Sequence, residues 1–162
     1  MPRIIALIAL MVVLALVNWS IYKKEQHLEK GQVVFLKLVP VDPRSLMQGD
    51  YMALRFEMAR KIDTLLDENV DSQDGLVVVT LDEKRVGSFA RLSQENETVK
   101  EEEMRLQYRV RNRSVKFATN AFFFEEGMAK KYEKAKYGEF RANHKGELLL
   151  VAMADENVTV IE

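Results

Sequence analysis

The segment IIALIALMVVLALVNWSIY, from Ile4 to Tyr22, carries no charged residue and is apolar without a break from Ile4 to Val17. Crossing a hydrocarbon core of ~30 Å takes ~20 residues at ~1.5 Å rise each, so this stretch is long enough to span a bilayer as one helix. Trp19 and Tyr22 stand at one end, where amphipathic rings favour the headgroup layer, and Lys23 and Lys24 follow. A buried core helix is the bland alternative, but the remaining chain of about 140 residues is too short to wrap a helix that is apolar all round.

A cleaved signal peptide is the stronger rival, because the apolar core also has the length of an h-region. Two features oppose cleavage. The positive n-region is only Arg3 and the terminal amine, and the best exit, Ala15-Leu16-Val17, puts valine where a small residue is needed. Residues 1–22 are therefore read as an uncleaved anchor and residues 23–32 as a short stalk. Residues 33–162 are read as one domain held at a membrane surface. The lipid bilayer is thus the first expected partner, through residues 4–22. Basic flanks nearly balance, and a short-tailed N-terminal anchor predicts N-in topology with the domain outside the cytoplasm.

Past the anchor, charge gives little away. The chain has 24 Lys and Arg against 25 Asp and Glu, and only Arg3 precedes Tyr22 among the bases. That balance leaves no electrostatic footprint for nucleic acid or for an anionic membrane surface. There is no cysteine, which suits either side of a membrane. The two histidines, His27 and His144, lack ligand-type neighbours at metal spacing, so neither a metal nor another cofactor is expected. No repeat or low-complexity tract divides the chain.

The pattern after the stalk is mostly short strands. Residues 23–30 favour a continued helix, with Gly31 as its stop. Residues 33–39 read as a strand ended by Pro40, and residues 41–48 as a loop. From Tyr51 to Phe56 apolar residues alternate, with Met52, Leu54 and Phe56 on one side and Tyr51, Ala53 and Arg55 on the other. Met58, Ile62, Leu65 and Leu66 recur at helical spacing, predicting a helix over 57–67. A polar turn is expected over 69–75, strands over 76–81 and 86–92 as a hairpin around 82–85, and an acidic, mobile loop over 93–103. Leu106, Tyr108 and Val110 alternate with Arg105, Gln107, Arg109 and Arg111, a half-buried strand with a basic outer face. Short strands follow over 115–118 and 121–124. A second helix is expected over 127–137, with Met128, Tyr132 and Ala135 on one face and ion pairs of Glu126 and Glu133 with Lys130 or Lys136. Strands over 138–142 and 147–153, a turn at 143–146 and a last strand over 158–161 close the chain. The expected fold is mainly β, a β-rich α+β domain. It is an antiparallel β-sandwich or partly open barrel with one or two short helices.

The most distinctive stretch runs Pro40-Val41-Asp42-Pro43-Arg44 and then Gly49-Asp50-Tyr51-Met52-Ala53-Leu54-Arg55-Phe56. Physically it is a rigid turn leading into a strand. The prolines fix φ, Asp42 can cap backbone amides, Gly49 can supply positive φ, and Arg44 can pair with Asp42 or Asp50. The pattern resembles the GDYXXLXY family, with Phe56 in place of the final tyrosine. The resemblance continues at Phe122-Phe123-Phe124-Glu125-Glu126-Gly127 with Glu133 and Ala135, except that Asn120 stands where an acidic residue is expected. It covers about residues 31–153. It implies a membrane-tethered bacterial domain, commonly encoded beside a multi-spanning membrane protein, and it brings no activity with it.

Enzyme chemistry finds thin support. An anchored serine–lysine peptidase would need Ser45 as nucleophile and a desolvated lysine as base, and only Lys37 has apolar strand neighbours. Paired carboxylates, Asp42 with Asp50 or Glu125, Glu126 and Glu133, would need one buried member with a raised pKa. The Phe122–Phe124 run reads first as core strand. If both faces are apolar, one face meets a partner.

The sequence thus points to a non-enzymatic accessory domain beside a multi-spanning membrane protein in the bacterial inner membrane. The alternatives are a periplasmic lipid- or glycan-binding module and an anchored hydrolase. The candidate interaction residues are Asp42, Pro43, Arg44, Gly49, Asp50, Tyr51, Leu54, Phe123, Glu126, Gly127 and Glu133.

Overall fold

The computed structural model describes residues 2–39, 51–66, 71–94 and 97–161. The apolar N-terminus forms one helix, α1 (Pro2–Lys30), which runs through the stalk without interruption. The Gly31 amide still donates to the His27 carbonyl at 3.0 Å. Gly31 is needed there for space. A Cβ at this position would lie 2.4 Å from the His27 carbonyl oxygen and 2.9 Å from the Arg141 Cβ. The expected helix stop is therefore a close packing point between anchor and domain.

Beyond it lie β1 (Gln32–Lys37), β2 (Tyr51–Ala53), α2 (Glu57–Asp63), β3 (Ser72–Leu81), β4 (Gly87–Leu92), β5 (Glu103–Arg111), β6 (Ser114–Lys116), β7 (Ala121–Phe123), α3 (Ala129–Tyr132), β8 (Tyr137–Ala142) and β9 (Leu148–Ala154). Three antiparallel ladders run in the orders β1-β8-β9, β4-β3-β5-β6 and β2-β7. Curling of these sheets makes a half-barrel, the partly open form of the expected β-rich fold. β1 joins the first two ladders. Phe35 bridges Val86 in parallel, its amide donates to the Arg85 carbonyl at 3.0 Å, and Arg85 Nε donates to the Val33 carbonyl at 3.2 Å. At the far side, the Gln107 amide donates to the Gly146 carbonyl at 2.7 Å and pins the β8–β9 turn onto β5. Register shifts at Val78/Val79 and Glu139/Phe140 add the local twist that curling requires.

Inside the curl the side chains close a single core. Val34, Leu36, Ile62, Val77, Val79, Leu106, Phe117, Phe140 and Met153 are fully buried within it. The β5 alternation holds, with Met104, Leu106, Tyr108 and Val110 inward. Tyr108 lies directly over Gly75, whose missing side chain makes room for the ring.

Several boundaries differ from the sequence expectation, each for a tertiary reason. β3 begins at Ser72, inside the expected polar turn, because its ladder with β5 runs from Ser72↔Arg111 onwards and needs no apolar side chains. Arg111 meets Asp74 there at 2.8 Å. α2 ends at Asp63, whose carboxylate accepts the Val115 amide at 2.9 Å, while the Thr64 hydroxyl turns back onto the Lys61 carbonyl at 2.8 Å. Leu65 consequently stays 57 % exposed. The second helix shrinks to four residues because the backbone at Lys136 is recruited by the sheet. Its amide donates to Ala154 and its carbonyl accepts from Leu38, both at 2.8 Å. Met128 is left exposed, and among the described residues Glu126, Glu133, Lys130 and Lys136 form no ion pairs. The last expected strand reduces to one bridge, Ala154↔Val160. The 93–103 loop is clamped where it is described, since Arg91 holds both Glu97 and Glu103.

Candidate functional site

The strand that opens with Tyr51 has one neighbour in its ladder, and that neighbour is the phenylalanine run. β2 and β7 pair antiparallel as Tyr51↔Phe123, Met52↔Phe122 and Ala53↔Ala121. Residues 51–53 and 121–123, parts of the two most distinctive sequence stretches and far apart in the chain, therefore form one ribbon. The Leu54 amide extends the pairing by donating to the Asn120 carbonyl at 2.7 Å. Asn120 thus serves the ribbon through its backbone, whatever its side chain.

Alternation sends the two faces of this ribbon to different places. Met52, Leu54 and Phe56 are buried, as the period-2 reading predicts. Phe56 packs edge-on against Phe117 and Phe140, with ring centroids 6.1 and 5.5 Å away. A tyrosine hydroxyl at this point would have to find a partner among phenyl rings, so phenylalanine suits the site. On β7, Phe122 and the following Phe124 flank Tyr132, at 5.0 Å edge-on and 5.2 Å stacked. That three-ring cluster fastens α3 to the ribbon and accounts for the second helix having an inward face at Tyr132.

Phe123 does the opposite. The residue is 74 % exposed, and its ring rests on Tyr51 at 5.7 Å between centroids. The reading of the triplet as core strand is therefore half right: Phe122 and Phe124 are structural, and Phe123 points to solvent. Glu125, Glu126, Gly127 and Glu133 continue from it along the surface, all exposed. The buried carboxylate that acid–base chemistry would need is not found among Glu125, Glu126 and Glu133. Lys37 is likewise at the surface, where it pairs with Glu57 at 3.2 Å. Asp42, Pro43, Arg44, Ser45, Gly49 and Asp50 lie outside the described residues, and so do the ion pairs read for Arg44.

Residues 53–56, together with Arg60, Lys116 and Asn120, also line a cleft of about 600 Å³ beside the ribbon. No group of three or more His, Asp or Glu among the described residues is placed to hold a metal ion. His27 is engaged structurally, its Nε2 donating to the Arg141 carbonyl at 2.9 Å.

The ribbon pairs the described strand of each of the two stretches that carried the resemblance noted in the sequence. The chain belongs to the GDYXXLXY protein family, whose pattern matches residues 13–153. No curated protein and no solved structure matches it.

Proposed function

We propose that this chain is a single-pass, non-enzymatic accessory subunit that docks on a multi-spanning membrane protein through the outer face of the β2–β7 ribbon. One observation carries the reading: Phe123, 74 % exposed, stands beside Tyr51 on a strand whose other aromatics are packed. A large aromatic held rigidly at the surface, with a second ring beside it, is the kind of anchor that dominates interface energetics. The acidic run Glu125–Glu126 and Glu133 supplies a polar rim next to it. The filled interior favours docking over carriage of a lipid, which requires an apolar groove through the sheet.

Localisation belongs to the same reading. α1 has an apolar span from Ile4 with mean hydropathy 2.7, and the domain buries none of it. A solvent-facing helix of that composition is best matched by lipid. The anchor stays uncleaved, the N-terminus is cytoplasmic, and the domain lies outside the cytoplasm of a bacterial inner membrane.

The test is recovery of the tagged full chain from mild detergent, comparing the native chain with Phe123→Ser. The native chain should bring down a stoichiometric multi-spanning protein. Phe123→Ser should cut its recovery about tenfold or more, a loss of ~1.4 kcal/mol or more, while the melting temperature stays within a few degrees of the native chain. Equal recovery by both chains removes the ribbon from the interface.

A further inference from the structure

Where α1 meets the half-barrel, a cleft of about 910 Å³ opens between the helix and the β8–β9 turn. It begins at Trp19 and Tyr22 and reaches Gly31. Taking Lys23 as the edge of the hydrocarbon, the cleft covers the next ~12 Å of helix, which takes in the headgroup layer of ~5–8 Å and the first water beyond it. Five cations line it: Lys23, Lys24 and Lys30 from α1, Arg105 from β5, and Lys145 from the β8–β9 turn. None of the five has a carboxylate partner among the described residues. Two acids also line it, one neutralised by an arginine and one that keeps its charge, so five cations stand against one uncompensated carboxylate. Glu103 is held by Arg91 at 2.7 Å, and Glu147 accepts from the Asn143 side chain at 2.6 Å. His27 and His144 complete its polar wall.

A chain whose total charge nearly cancels has thus gathered bases with no carboxylate partner among the described residues, from three separate elements, where the anchor leaves the bilayer. Unpaired cations that face one another repel, and an anion between them relieves the repulsion. We propose that this cleft binds a phosphate-bearing anion, namely the phosphodiester headgroup of an anionic phospholipid from the bilayer that holds α1. Such a headgroup would join helix and domain: Lys23 and Lys24 line the cleft from the anchor, the Lys23 ammonium lying 5.7 Å over the Trp19 ring, and Arg105 and Lys145 line it from the domain. Trp19 and Tyr22 border the acyl side, where rings of this type sit. The site rests on α1 spanning the membrane, and it is separate from the ribbon that carries Phe123.

The experiment is native mass spectrometry of the full chain in detergent micelles supplied with phosphatidylglycerol or phosphatidylcholine in equal amounts. Phosphatidylglycerol should be retained in preference, and each of Lys23→Gln, Arg105→Gln and Lys145→Gln should lower that preference about fivefold. Arg105→Lys keeps the charge and should keep the preference, which separates lost recognition from lost fold. Lys61→Gln, on the remote α2 surface, should change nothing. Equal retention of the two lipids, or a preference that survives all three neutralisations, overturns the proposal. Displacement of phosphatidylglycerol by millimolar inorganic phosphate overturns the lipid as the source of the anion. Extraction of the chain from membranes by alkaline carbonate tests the span by itself, and release would overturn both the anchor and this site.

Discussion

Tyr51 and Phe123 stand directly opposite each other in the β2–β7 ladder, ring centroids 5.7 Å apart and planes tilted by 40°. Cross-strand aromatic pairs contribute a few tenths to 1 kcal/mol to a sheet. A two-stranded ribbon of three residues per strand needs more than that to persist. The remainder comes from its inner face, where Met52 is buried, Phe122 half-buried, and Phe122 packs on Tyr132. The ribbon therefore has a stabilising side and a displayed side, and neighbouring phenylalanines fall on opposite ones.

That division predicts opposite outcomes for adjacent substitutions. Phe122→Ala should destabilise the domain by about 1–3 kcal/mol, since it opens the ring cluster around Tyr132. Phe123→Ala should cost at most about 1 kcal/mol, the worth of its ring contact with Tyr51, because the ring leaves little other apolar surface buried. Denaturant midpoints of the two variants check this. Equal losses would mean that Phe123 is also part of the fold.

Two glycines give a similar contrast. Gly127 and Gly146 both have positive φ, +83° and +81°, but a Cβ on Gly127 meets nothing within 4 Å while one on Gly146 lies 2.7 Å from the Arg105 carbonyl oxygen. Gly127→Ala should cost only the left-handed backbone penalty, about 1–2 kcal/mol. Gly146→Ala should add the clash and strain the Gln107–Gly146 hydrogen bond that pins the β8–β9 turn, raising the cost to about 2–4 kcal/mol. Urea unfolding of the pair measures the difference, and the larger loss should fall on Gly146.

Those particulars show which parts of the molecule were readable from its residues. Alternation at Met52, Leu54 and Phe56 is a local property of one strand, so their inward direction was legible without knowing what the strand pairs with. Its partner was not. Nothing in Tyr51 or Phe123 taken singly specifies the β2–β7 ladder, which depends on how the whole half-barrel returns the chain. Helix ends failed for the same reason: the Val115 amide takes Asp63, and Leu38 and Ala154 take the Lys136 backbone. The junction cleft was the least legible feature. Its cations come from three distant elements, so a charge count over the chain averages them away.

For the anchor, the poor exit residue Val17 predicts that the purified chain retains its N-terminus. Intact-mass measurement should find Arg3 present, and a mature end near Asn18 would identify a cleaved signal instead. A reporter active only in the cytoplasm, fused after Glu162, should be silent. A bright signal would reverse the proposed topology.

Acid should weaken the domain at one identifiable clamp. Arg91 meets Glu103 through two bonds, Nη1 to Oε1 at 2.7 Å and Nη2 to Oε2 at 3.0 Å, and also pairs with Glu97. Backbone amides assist, Lys100 donating to Glu103 at 3.0 Å and Gln94 to Glu97 at 3.2 Å. The Arg91 hydrogen bonds, and then the Lys100 amide, hold the Glu103 carboxyl at about 2 instead of the ordinary 4.5. Glu97 is lowered too, first by Arg91 and then by Gln94. A carboxyl that binds protons less readily when folded than when unfolded favours the folded state above its unfolded pKa, and that advantage disappears as pH falls through the folded one. The clamp thus contributes fully at neutral pH, begins to fade below about pH 5 and is lost near pH 2. Glu103→Gln keeps the shape and removes the charge, so its melting temperature should lie below that of the native chain at neutral pH. The two should converge as the medium is made acid, because the native chain then loses what the variant already lacks. Thermal melts of both chains across that range decide the point. A gap that stays constant down to the acid end would assign the loss to the shape of the Arg91 pairing and would remove the ionised carboxylate as its cause.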